Sequence, residues 1–243
     1  MRAKLPKDVV NALWRFLFPA GCLLCAATPS KSKNDYLCNS CLGDLQENRH
    51  ACSLCALPII DSVSTPLCAE CLKSPPVFDG CLSAYVYAQP LEWMIQQLKF
   101  SEKLSYAPLL SSLMLRYLRM RVPQQSPVDV IIPMPLHSRR LKERGFNQSL
   151  LLIEPIAAEL GIPVDSSSCQ RVLDTSHQTG KTARQRRQNI KGAFRFDNQK
   201  GYKRVIIFDD VITTGSSVGE LSKVLRRAGV KRIDVWSLAR AGK

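Results

Sequence analysis

At 243 residues the chain has room for one or two domains with a real core. It is 45% hydrophobic and 22% charged, which excludes a low-complexity or disordered polymer. The formal charge of +14 is uneven: residues 1–89 carry 8 Lys/Arg against 7 Asp/Glu, and residues 90–243 carry 26 against 13. A basic half of this kind suits a polyanionic substrate, nucleic acid or both, and a generally basic solvated surface is the bland alternative.

The first 19 residues are basic, then apolar, and Arg15 interrupts the apolar run. They read as a short amphipathic helix rather than a signal peptide. No stretch reaches the apolar length of a membrane span, so the expected location is the cytoplasm.

Eight of the 10 cysteines then fall into four C-x-x-C pairs: Cys22/Cys25, Cys38/Cys41, Cys52/Cys55 and Cys68/Cys71. The second set of four follows the first at a spacing of 30 residues, so the region is an internal repeat of two units. Four thiolates on two knuckles make a closed tetrahedral site suited to structural Zn2+, one ion or two in all. Redox dithiols usually occur singly at a helix start in a larger fold, and disulfides fit poorly with the lack of an export signal. Units of this size cannot build a self-sufficient core, so metal supplies much of their folding energy. Pairing within each repeat is favoured, and interleaved pairing stays open. His50 reads as a loop residue, and Cys81 and Cys169 as core thiols. The near-neutral charge of this half argues for bracing or partner contact rather than a direct grip on phosphates.

Ser74-Pro75-Pro76 closes the cysteine region. A strand is expected over 79–88, a helix opened by Pro90 with Leu91, Met94, Ile95 and Leu98 on one face, and a well-buried helix over 106–121. Val128 to Ile132 reads as a buried strand. The loop after it concentrates Arg139, Arg140, Lys142 and Arg144 at the carboxyl end of that strand, the edge where an open α/β sheet carries its ligand. An amphipathic helix is expected over 148–160, then a strand around 168–173. Residues 174–191 form a long polar stretch with Gln178, Lys181, Arg184, Arg186 and Arg187, which fits a mobile basic lid better than a passive connector. The last strand is expected over 232–238.

The most informative stretch is VIIFDDVITTGSSVG, Val205 to Gly219. Four apolar residues predict a strand buried on both faces. Asp209 and Asp210 follow, then the small hydroxylated run Thr213, Thr214, Gly215, Ser216, Ser217. Val218, Leu221, Leu225 and Ala228 then recur at helical spacing up to Gly229. Free N–H groups and the positive end of a helix dipole converge on such a loop, which suits a phosphate. The carboxylates beside it suit the vicinal hydroxyls of a sugar, so the pattern describes a ribose 5-phosphate site. Two decoys fail. Gly215 to Gly219 fits G-x-S-x-G, but its Ser lies well beyond the strand end and no His follows it. Gly180-Lys181-Thr182 lacks the leading Gly and strand of a phosphate-binding P-loop.

This stretch resembles the PRPP (phosphoribosyl pyrophosphate) motif of the type I phosphoribosyltransferases. Leu98-Lys99-Phe100, Arg144-Gly145-Phe146-Asn147-Gln148, Thr175 with Gln178, Arg186 with Asn189, and Gly192-Ala193-Phe194 extend the likeness. Together with the cysteine repeat they resemble the ComF/GntX family of competence and DNA-utilisation proteins. One departure is Leu173, where that family often has a basic residue two positions after the one matching Arg171.

The resemblance implies an α/β fold: a Rossmann-like type I phosphoribosyltransferase domain over 77–243, preceded by an N-terminal helix and a double zinc-ribbon module over 1–76. It implies the 5-phosphate on Val211, Ile212, Thr213, Thr214, Gly215, Ser216 and Ser217, with Asp209 and Asp210 as catalytic residues on the ribose. Lys99, Arg139, Arg140 and Arg144 would bind the rest of PRPP, with Mg2+ carried mainly by PRPP and water. Gln178, Arg184, Arg186 and Arg187 would be lid residues. The acceptor is not legible. Single-stranded DNA and proteins of the competence machinery, such as a helicase, are the implied partners. An enzyme and a binding module that uses PRPP only as a regulatory ligand both remain open.

Overall fold

The structure, a computed structural model, describes residues 21–27, 36–59, 66–101, 103–122, 128–174 and 189–242. The expected N-terminal helix lies outside them. The chain divides into two compact units, residues 1–46 and 47–243. The division falls between the two cysteine repeats, so the second repeat lies in one compact unit with the α/β sheet.

The repeat in sequence is a repeat in backbone hydrogen bonding. In the first copy Cys22 N–H donates to Ala27 O at 2.8 Å and Ala26 N–H to Cys22 O at 2.8 Å. In the second, Cys52 N–H donates to Leu57 O at 2.9 Å and Ala56 N–H to Cys52 O at 2.8 Å. Ala26 and Ala56 both take positive φ, 60° and 53°. Each copy continues into a one-turn helix begun by its third cysteine, α1 (Asn39–Gly43) and α2 (Ala69–Lys73).

The second unit is built on a parallel sheet of four strands in the order β1-β6-β5-β2. These are β1 (Gly80–Val86), β2 (Val130–Pro133), β5 (Arg204–Ile212) and β6 (Arg232–Arg240). Its helices are α3 (Leu91–Phe100), α4 (Tyr106–Arg121), α5 (Ser138–Arg144), α6 (Gln148–Leu160) and α7 (Ser216–Arg227). Both sheet edges are covered, as an exposed edge requires. Glu47 bridges Tyr85 beyond β1, and Val164 bridges Ile131 beyond β2.

The β5 residues Val205 to Phe208 are all buried, as a strand packed on both faces must be. Val205 and Ile207 join Val130, Ile132, Ile233 and Val235 in a core with Val218, Leu221 and Leu225 of α7. The deeply buried α4 packs on α6, where Ser111 Oγ donates to Leu152 O at 2.9 Å.

Two expectations need adjusting. The strand expected around 168–173 is β3 (Cys169–Arg171). It lies outside the main sheet and pairs antiparallel with β4 (Phe194–Phe196), which packs against α7. The basic loop after β2 contains a helix, α5, none of whose residues is buried. Cys81 and Cys169 are buried core thiols, and burial raises both above the ordinary thiol value, Cys169 to about 12. Among the described residues no helix is long and apolar enough to cross a membrane.

Candidate functional site

β5 does not stop before its carboxylates. It runs on to Ile212, because Asp209, Val211 and Ile212 still pair with Ser237, Ala239 and Arg240 of β6. Consecutive strand residues diverge, so the two carboxylates leave the strand in different directions. The first turn of α6 meets both. Ser149 Oγ donates to Asp209 Oδ1 at 3.3 Å, and Gln148 Nε2 donates to Asp210 Oδ1 at 3.2 Å. From the last turn of α3, Lys99 Nζ forms an ion pair with Asp210 Oδ2.

The segment RGFNQS explains how α6 arrives there. Gly145 takes φ +79° and ends α5, a conformation costly for any residue with a Cβ. Asn147 then caps α6, its Oδ1 accepting from Ser149 N–H at 2.9 Å and Leu150 N–H at 3.3 Å. Its Nδ2 donates to Met134 O at 3.1 Å, which ties the cap to the end of β2. Arg144 Nη1 donates to Gln148 Oε1 at 2.5 Å, and its guanidinium lies 5.6 Å from the centre of the Phe100 ring. Lys99-Phe100 and Arg144 to Ser149 are therefore one frame around the acidic pair, joined by hydrogen bonds, an ion pair and a cation–ring contact. Ser149, and the direct role of Gln148, were missed in the sequence. The capping pattern at Asn147 is the signal that places them in a first helical turn.

The frame has an electrostatic consequence. Burial, and then the neighbouring Asp210 carboxylate, push Asp209 up to about 7 against the pull of Lys99. Burial lowers Arg144 from the ordinary guanidinium value, and Asp210 opposes it. A carboxyl poised near neutrality, beside a paired carboxylate, can accept a diol hydrogen bond or give up a proton when a cation arrives.

Downstream, Thr213, Thr214 and Gly215 form the turn into α7. Gly215 is the N-cap, at φ +72°, and offers no capping side chain. An added Cβ there would meet nothing within 4 Å, so glycine is needed for its backbone angle rather than for close approach. Thr214 Oγ1 bonds Ser216 Oγ at 2.8 Å and accepts weakly from Ser216 N–H at 3.4 Å. The start of α7 thus has none of the side-chain capping that Asn147 gives α6, which leaves it open to an anion. Ile212 is buried, so it offers a ligand only its backbone.

Of the expected cations, Lys99, Arg140 and Arg144 line one cavity of about 300 Å³ with Phe100 and Glu143. Arg139 does not join them. It points to Glu143 at 2.9 Å and Asp174 at 3.6 Å. Thr175, Gln178, Arg184, Arg186 and Arg187 lie outside the described residues.

The eight cysteines come together within each repeat, Cys22, Cys25, Cys38 and Cys41 in one cluster and Cys52, Cys55, Cys68 and Cys71 in the other. In both, the sulfurs lie within 4.8 Å of one another. The pairs Cys25/Cys38 and Cys55/Cys68 are 3.7 Å apart. Tetrahedral Zn–S bonds of about 2.3 Å put neighbouring sulfurs roughly 3.8 Å apart, so the donors fit zinc in number, kind and spacing. Burial raises the Cys22 and Cys52 thiols, but the N–H groups of their knuckles outweigh it and draw them down to about 6 and about 7. Bound zinc would clamp each pair of knuckles and supply the folding energy these short loops lack.

Comparison with known proteins agrees. A double zinc ribbon domain model matches residues 13–72. The chain is 37% identical to the DNA utilization protein YhgH of Salmonella typhimurium, over 91% of this chain and 97% of that one. It is 36% identical to the Escherichia coli K12 protein of the same name, over the same shares. It is 36% identical to competence protein F of Haemophilus influenzae, over 90% of this chain and 96% of that one. With a double cysteine ribbon joined to a parallel α/β sheet and likeness along nearly its whole length, the chain belongs to the ComF family of competence and DNA-utilisation proteins.

Proposed function

We propose that the chain binds Mg2+-PRPP at the carboxyl end of β5 and transfers its phosphoribosyl group to an acceptor, in a process of competence or DNA utilisation. The observation that carries this reading is the acidic pair of β5, held by Lys99, Gln148 and Ser149 one turn of chain before the uncapped start of α7. A diol site and an anion site that follow one another at the end of one strand suit the two ends of a ribose 5-phosphate. The cavity lined by Lys99, Arg140 and Arg144 suits the pyrophosphate, where Arg presents a planar fork. Mg2+, when bound, would neutralise charge on the leaving pyrophosphate.

In the transfer the bond from the anomeric carbon to pyrophosphate breaks, a bond to the acceptor forms, and the acceptor gives up a proton. This chain's residues orient the ribose, hold the leaving group and keep charge in place. Asp209, near neutrality, would be the group to take the acceptor proton in this reading. The type I phosphoribosyltransferase identity of the domain, and the expected catalytic role of Asp209 and Asp210, rest on this reading.

A second reading is favoured by the charge of residues 90–243: the domain grips single-stranded DNA or a competence partner and uses PRPP only as a regulatory ligand. Release of pyrophosphate from PRPP, assayed against a panel of nucleobases and nucleophiles, separates the two. Acceptor-dependent release supports transfer. PRPP binding without release for any acceptor, together with salt-sensitive binding of single strands, supports the second reading.

A further inference from the structure

The second ribbon and the loop before α7 share an anchor. Arg240 ends β6 and is 6% exposed. Its Nε donates to the Cys55 carbonyl at 3.1 Å. Its Nη1 donates to the carbonyls of Ile212 at 3.1 Å, Ala241 at 3.0 Å and Thr213. Ile212 ends β5 and Thr213 opens the loop, while Cys55 sits in a knuckle of the second cysteine cluster. One planar guanidinium thus spans metal knuckle and loop. A cavity of about 340 Å³ lies at the same junction, with Cys55, Cys68 and Cys71 on one side and Thr214, Gly215 and Ser216 on the other.

The two sides differ in what holds them. The β5 backbone is fixed by the sheet up to Ile212. The knuckle of Cys55 is a turn closed by the bond from Ala56 N–H to Cys52 O, and the knuckle that shares its metal site opens a helix of only 5 residues with no stability of its own, so the two keep their arrangement through four thiolates gathered by metal. If Cys55 moves, a buried charged donor loses an acceptor and its remaining bonds lose their fixed direction. Lysine cannot replace Arg here, because a single ammonium does not offer two donor directions from one rigid plane.

We propose that Arg240 is a positioning residue that makes the geometry of the loop 213–217 depend on metal at Cys52, Cys55, Cys68 and Cys71. The second ribbon is then a working part of the phosphate end of the site rather than a remote brace. In its functional consequence this rests on the PRPP reading above. The coupling itself does not.

The test is hydrogen–deuterium exchange on the full zinc-loaded chain, with metal content measured on the same samples. The variants are Arg240→Lys and Cys68→Ser/Cys71→Ser. Amides of 211–217 are expected to exchange about tenfold faster in both, as the loss of one or two bonds from a charged donor implies. Amides of 205–208 should stay protected, which shows that the sheet is folded. Arg240→Lys should keep both metal ions, so its loosened loop cannot come from an emptied ribbon. Mg2+-PRPP affinity should fall about tenfold in the same two proteins. Wild-type exchange over 211–217 in Arg240→Lys overturns the proposal, and so does wild-type exchange there in a Cys68→Ser/Cys71→Ser protein that has lost its second metal. If wild type does not bind PRPP while exchange follows the expected pattern, the ligand reading fails and the coupling stands.

Discussion

Lys99, in the last turn of α3, is ion-paired with Asp210, two residues before the end of strand β5, and the two side chains are 19% and 3% exposed. The pair joins a helix to the strand that carries the site, and it is largely sheltered from solvent. Removing one partner leaves the other charge buried beside Asp209. Lys99→Met should therefore cost about 3 kcal/mol of unfolding free energy in urea titrations. Lys99→Met/Asp210→Asn should recover much of that loss. Recovery separates an electrostatic role from simple loss of packing.

Asp209 sets a pH dependence opposite to that of an ordinary carboxylate. Its folded value of about 7 lies above the ordinary 3.8. Between those values the folded state holds a proton that the unfolded chain has released, so stability falls as pH rises across that window. The penalty is absent below the unfolded value and complete above about 7. Asp209→Asn should accordingly melt above wild type at pH 8, with the gap closing toward pH ~4. Mg2+-PRPP binding near pH ~6 should release protons from wild type, seen as a calorimetric enthalpy that changes with buffer, and this release should vanish in Asp209→Asn.

The two cysteine clusters predict two zinc ions per chain in native mass spectrometry. A strong chelator should remove both and abolish protection of the knuckle amides Ala26 and Ala56, whose bonds to Cys22 and Cys52 depend on the gathered thiolates. Retention of that protection without metal would show that the ribbons fold unaided.

Gly215→Ala places a Cβ on a backbone at φ +72° with open space around it. The cost is conformational alone, about 1 kcal/mol in stability. The same change should weaken PRPP binding more than it weakens the fold, because the loop escapes strain by abandoning the angle that exposes its N–H groups.

Much of this was legible in the sequence, for identifiable reasons. The strand–loop–helix of 205–219 announces itself because a doubly buried strand must be continuously apolar, and a tight turn into a helix must use small residues. The cysteine repeat was legible because metal geometry fixes ligand spacing. Helix α5 was not, because it buries none of its residues and so carries no apolar period. β3 and β4 are three residues each, too short for alternation to register. The position of Asp209 and Asp210 inside β5 depends on pairing with β6, a non-local fact. Arg240 was invisible for the same reason: its acceptors at Cys55 and Thr213 lie far away in the chain.

The central claim is most directly tested by calorimetry of Mg2+-PRPP binding to zinc-replete wild type and to Asp209→Ala/Asp210→Ala. The account predicts saturable, Mg2+-dependent binding by wild type and none by the double variant, with both proteins folded by circular dichroism. A folded wild type that binds no PRPP, or a double variant that binds it as well as wild type, would contradict the account.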